Sequence, residues 1–113
     1  MTVITVFSGP RAAKIIKSTP HDVWATDSQE EDLICVATGF PEPKITWTKD
    51  GKVIENCHQH EECAQSKRYL MWHKGLSIVQ PRYPDDDGVF SCEARNIFGS
   101  DSRQIVVIVP GVF

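Results

Sequence analysis

The chain has 113 residues, a net charge of −3 and 41% hydrophobic residues, which suits one domain around a single core. Its charges are mixed along the chain, without the basic stripe that a nucleic-acid binder carries. The longest apolar run, residues 105–109, is far shorter than the roughly 20 residues that span a bilayer, so no direct membrane insertion is expected.

Residues 2–7 lack the basic leader and small-residue cleavage site of an export signal. Residues 2–6 (TVITV) stand before Ser8-Gly9-Pro10 much as 105–109 (IVVIV) stand before Pro110-Gly111. Residues 1–12 therefore read as a linker or the tail of a preceding domain, 13–109 as the domain, and 110–113 as a C-terminal linker. Helical periodicity is nearly absent. Short apolar runs separated by Gly, Pro, Asn and Asp predict an all-β sandwich or barrel.

Residues 14–17 read as a first edge strand, stopped by Pro20, which cannot donate to a ladder. Residues 22–25 are a second short edge segment. Residues 33–38 alternate Leu33, Cys35 and Ala37 on one face, and 39–43 form a proline-rich turn. Residues 44–49 point Ile45 and Trp47 inward. Asp50-Gly51 is a tight-turn dipeptide that returns the chain along 52–54. Residues 55–67 are a polar loop. Residues 68–72 and 76–79 form a hairpin, in which Leu70 and Trp72 share a phase and are predicted to face the core. Trp24 is not assigned. Residues 81–88 form an acidic corner, and 89–96 with 102–109 make the last hairpin.

Four cysteines suit an oxidising compartment and allow three pairings. Cys35, Trp47 and Cys92 all fall on inward phases. A disulfide can join two facing sheets with a tryptophan packed on it. Closing a loop of this length stabilises a fold by roughly 4 kcal/mol in the chain-entropy model. Trp47, Leu76, Ile78 and Phe90 are the candidate core.

These residues carry a resemblance. Gly39-Phe40-Pro41-Glu42-Pro43 leads into Ile45-Thr46-Trp47 and then Lys49-Asp50-Gly51. Leu76-Ser77-Ile78, Asp86-Asp87-Gly88-Val89-Phe90-Ser91-Cys92 and Cys92-Glu93-Ala94-Arg95-Asn96 with Gly99 follow in order. The chain resembles an immunoglobulin superfamily domain of the I-set over residues 13–109. The resemblance implies an immunoglobulin-like Greek-key β-sandwich of two antiparallel sheets. It departs at Phe90, where the family has a tyrosine whose hydroxyl bonds back to the corner, so a looser corner at 81–88 is predicted. The Cys57 and Cys63 pair is a second departure.

Cys57-His58-Gln59-His60-Glu61-Glu62-Cys63 carries zinc-type ligands. Seven residues are a short span in which to aim four ligands, so a small disulfide ring is preferred over a metal site or free thiols. Such a ring stabilises by at most about 2.4 kcal/mol. Asp85, Asp86 and Asp87 have calcium-ligand chemistry but read as a solvated corner, with Asp86 expected to pair with Arg68. Lys44, Lys49, Lys52, Lys67, Arg68 and Lys74 read as solvated charge rather than a sulfated-glycan site. No nucleophile elbow or phosphate loop occurs in the sequence. Neither an enzyme, a cofactor nor a metal is expected.

The resemblance implies two classes of function. The preferred one is a recognition or adhesion module of an extracellular protein, such as a cell-adhesion molecule, receptor or secreted matrix protein. Its partner would be another protein, homophilic or heterophilic, with neighbouring immunoglobulin-like domains in the same chain. The alternative is a structural bead of an intracellular muscle or cytoskeletal protein, whose cysteines would stay reduced. The absence of an Asn-x-Ser/Thr sequon suits the alternative slightly better.

Overall fold

The computed structural model describes residues 9–26, 29–55 and 68–111. Strands β1 (Arg11–Ser18), β3 (Glu31–Phe40), β7 (Gly75–Ile78) and β6 (Tyr69–Trp72) form a four-stranded sheet in that order. Strands β2 (Asp22–Trp24), β9 (Gly99–Ile108), β8 (Gly88–Asn96), β4 (Lys44–Lys49) and β5 (Lys52–Val53) form the five-stranded sheet that faces it. The chain is an immunoglobulin-like sandwich in which hairpin neighbours share a sheet and longer connections change sheets.

One pairing departs from the expected antiparallel pattern: β2 runs parallel to β9, with Asp22 opposite Val106 and Trp24 opposite Ile108. The reason lies in the turn at Pro20. The chain passes from one sheet to the other there without reversing. Ile15 of β1 meets Asp101 and Asp22 of β2 meets Val106, so both strands ascend alongside β9.

Period-two alternation then places the core. Leu33 and Cys35 of β3, Trp47 of β4, Leu76 and Ile78 of β7, and Phe90 and Cys92 of β8 are all buried in one cluster. The Cys35–Cys92 bridge links the sheets, and Trp47 lies opposite Cys92 across the β4–β8 ladder. The phase of β6 is the reverse of the sequence reading. Tyr69 and Met71 pack against the core, while Leu70 and Trp72 are 50% and 39% exposed. Both phases of Tyr-Leu-Met-Trp are apolar, so alternation alone does not choose between them. The choice falls to the Tyr69 hydroxyl, which finds a buried partner only when its ring turns inward.

Candidate interaction surfaces

Three polar clusters hold the frame on which any surface is displayed. The first is the β4–β5 turn. Asp50 and Gly51 both have positive φ, 49° and 85°, as a two-residue type I′ hairpin requires. The Asp50 carboxylate accepts from Lys49 Nζ at 2.8 Å and from the Val89 N–H at 2.9 Å, and both bonds hold its pKa below the usual carboxylate value. Gly88 lies against this carboxylate with φ of 153°, where a Cβ would collide with it.

The second cluster is the corner between β7 and β8. Asp86 is 1% exposed and accepts from Arg68 Nη2 at 2.7 Å, the Tyr69 hydroxyl at 2.7 Å and the Arg82 N–H at 2.8 Å. Burial, helped by this carboxylate, raises the Tyr69 phenol well above its ordinary pKa and keeps it a donor. The hydroxyl that Phe90 lacks is thus delivered to the same corner by Tyr69, whose ring stands edge-on to Phe90 at 5.9 Å. At this corner these bonds stand in for the one that Phe90 cannot make. The sequence signal for Tyr69 is a tyrosine two strands before the missing one. Asp87 accepts from the Val109 N–H at 3.0 Å and ties down the C-terminal end of the sandwich.

The third cluster centres on Asn96. Its amide donates to the carbonyls of Arg11 at 2.7 Å and Pro41 at 2.9 Å, and its oxygen accepts from the N–H groups of Ala13 and Phe98. Both donors and both acceptor positions of the side chain are used. They join β1, the β3–β4 turn and the β8–β9 turn. Nearby, Asp101 accepts from the Ile15 N–H at 2.8 Å, so side chains cap the exposed edge of β1. That bond, followed by those of Arg103 and Ser102, depresses the Asp101 pKa.

The candidate chemical constellations do not converge. Asp85 and Asp86 both face Arg68, at 3.9 and 2.7 Å, while Asp87 binds the Val109 N–H, and among the described residues no group of three metal-ligating side chains comes together. Arg68 is bound to Asp86 and Lys49 to Asp50. Lys44 and Lys52 lie on the five-stranded sheet and Lys74 at the turn of the four-stranded one. Cys57 and Cys63, with the two histidines between them and Lys67, lie outside the described residues.

What remains is surface. On the five-stranded sheet the rows that face outward through its middle read Thr46–Glu93–Ser102 and Thr48–Ser91–Gln104. On the four-stranded sheet they read Asp32–Ser77–Leu70 and Ile34–Gly75–Trp72. Trp24 is 70% exposed on its edge strand, and Phe40, Ile97 and Phe98 are exposed at the end of the sandwich that Asn96 organises.

The family profile described as Immunoglobulin I-set domain matches residues 14–109. The chain belongs to this family. Human Hemicentin-1 is 33% identical over 90 residues, which are 80% of this chain and 2% of that protein. The chain spans between 1% and 8% of the first curated relatives it matches. Among solved structures, Sidekick-1 immunoglobulin domains 1–4 superpose with a TM-score of 0.75 at 23% identity, covering 90% of this chain and 25% of that one. Titin domain M7 superposes at 0.73 and 23% identity, covering 90% and 97%. Both likenesses establish the immunoglobulin-like fold.

Proposed function

We propose that this I-set domain is a non-catalytic protein-recognition module of an extracellular multi-domain protein. It works by contact through a sheet face or loop ends, with further immunoglobulin-like domains beside it in the parent chain. The observation that carries the reading is the Cys35–Cys92 bridge between the sheets, a bond that persists in oxidising compartments. The similarity to a small fraction of Hemicentin-1 supports the picture of one domain among many. A second bridge between Cys57 and Cys63 belongs to the same reading and would stiffen the surface loop that carries it.

The structural likeness to titin M7 favours a second reading, a structural bead in an intracellular scaffold. Counting thiols separates the two. Protein from its native source is alkylated at lysis and its intact mass read before and after reduction. The extracellular reading predicts two disulfides. Four free thiols would overturn it in favour of the intracellular bead.

A further inference from the structure

The outer face of the four-stranded sheet has an apolar centre with opposite charge at its two ends. Leu70 and Trp72 are exposed on β6, Ile34 and Val36 are half-buried on β3, and Ile16 is exposed on the bulge of β1. Trp72 is held in place: its indole N–H donates to Ser77 Oγ at 3.1 Å, and the Ser77 hydroxyl donates to Asp32 at 2.6 Å. An anchor fixed in advance loses less entropy when a partner arrives, and aromatic anchors dominate protein contacts. At Gly75, opposite Trp72, a Cβ would collide with the Leu33 carbonyl, so the middle of the face keeps no side chain there.

The end where β3 begins is acidic. Glu30 and Asp32 are close enough that their hydrogen bond and mutual repulsion raise the Glu30 pKa, a crowding that a cation would relieve. The other end is basic. Lys17 lies opposite Val36 and Lys14 opposite Thr38, and Lys74 sits at the β6–β7 turn, where its carbonyl accepts from the Cys35 N–H. A half-turn about an axis through the apolar centre lays the acidic end of one copy over the basic end of another. Apolar side chains then meet apolar side chains. A partner face of uniform charge would be repelled at one end.

We infer that this face pairs with the same face of a second copy of the chain in a closed two-fold dimer. The inference rests on the recognition reading above and names its surface and its partner. A face of strands of eight, ten, four and four residues covers roughly 400 Å² per copy from strand spacing and rise. That is about half of a standard interface, so the pair is weak and transient. Tethered copies on two opposed arrays would add avidity.

Sedimentation equilibrium of the oxidised 113-residue chain tests it, with melting temperatures as the check on folding. The wild type is expected to dimerise, and more weakly as salt rises. Leu70→Arg should weaken the dimer at least tenfold, and Trp24→Ala, on the other sheet, should leave it unchanged. Glu30→Lys and Lys17→Glu each place like charges at both ends of the pair and should weaken self-association. Mixed in equal amounts they restore both attractions and should form a heterodimer. A wild type that stays monomeric at about 1 mM, the weak end of the affinity scale, overturns the inference. So does a mixture that fails to pair, or a Trp24→Ala variant as impaired as Leu70→Arg. Any of these leaves recognition of a different protein standing, because that reading is tested by the thiol count.

Discussion

The two sheets have the same task on their inner faces and different ones outside. Inside, each presents an unbroken set of buried side chains to the shared disulfide core. Outside, the middle rows of the five-stranded sheet are Thr, Glu, Ser and Gln, whereas those of the four-stranded sheet centre on Ile34, Leu70 and Trp72. Both outer faces are laid out by ladders of the same kind, so the fold does not require the difference. Residues that the fold leaves free are where recognition can be written, and here they differ most between the two faces.

The comparison predicts that interior changes destabilise both sheets together, while exterior changes separate them. The largest effect should come from the shared bridge. Replacing Cys35 and Cys92 with alanine together should cost roughly 4 kcal/mol in the chain-entropy model, read as a lower urea midpoint. Asp86→Ala should come next. At the corner joining the sheets it strands the Tyr69 hydroxyl and the Arg82 N–H and leaves the Arg68 guanidinium only Asp85, at 3.9 Å. About 3 kcal/mol is expected, the low end for breaking a buried pair, because Arg68 keeps some access to water. Tyr69→Phe removes one hydroxyl from that buried carboxylate and should cost about 1.5 kcal/mol in the same assay.

A smaller effect is expected from acid. The Asp101 carboxyl has a folded pKa below its ordinary 3.8. It binds fewer protons folded than unfolded, so its contribution is complete above that ordinary value and is lost as pH falls through the depressed one. Melting temperature should therefore drop on acidification below about pH 4. Asp101→Asn should make that drop shallower and weaken the tie between β1 and β9. The smallest effect should come from Ser91→Arg on the polar face, with stability changed by under about 0.5 kcal/mol and self-association unaltered.

Much of the frame is legible in the sequence because its signals are chemically distinct. The Cys35, Trp47 and Cys92 phases, the Asp50-Gly51 turn and the pairing of Asp86 with Arg68 each follow from residues with few alternative uses. The phase of β6 was hidden because Tyr69, Leu70, Met71 and Trp72 are all apolar in bulk, and only the distant Asp86 distinguishes them. The direction of β2 was hidden because a three-residue strand carries no orientation signal. The fourfold use of Asn96 could be suspected from its place in the Cys-x-Ala-x-Asn motif, but its partners at Arg11 and Pro41 are joined only by the fold. The recognition surface was the least legible part. It depends on which of two apolar phases faces water, and there the phase predicted to face the core, Leu70 and Trp72, is the one that faces out.

The most direct test of the difference between the faces is a dilution series followed by amide and indole chemical shifts in the oxidised chain. The account predicts concentration-dependent shifts at Ile34, Val36 and Leu70 and at the Trp72 indole N–H, with Thr46, Ser91, Gln104 and the Trp24 indole unmoved. Shifts confined to Thr46, Ser91 and Gln104, or spectra that do not change with concentration, would contradict it.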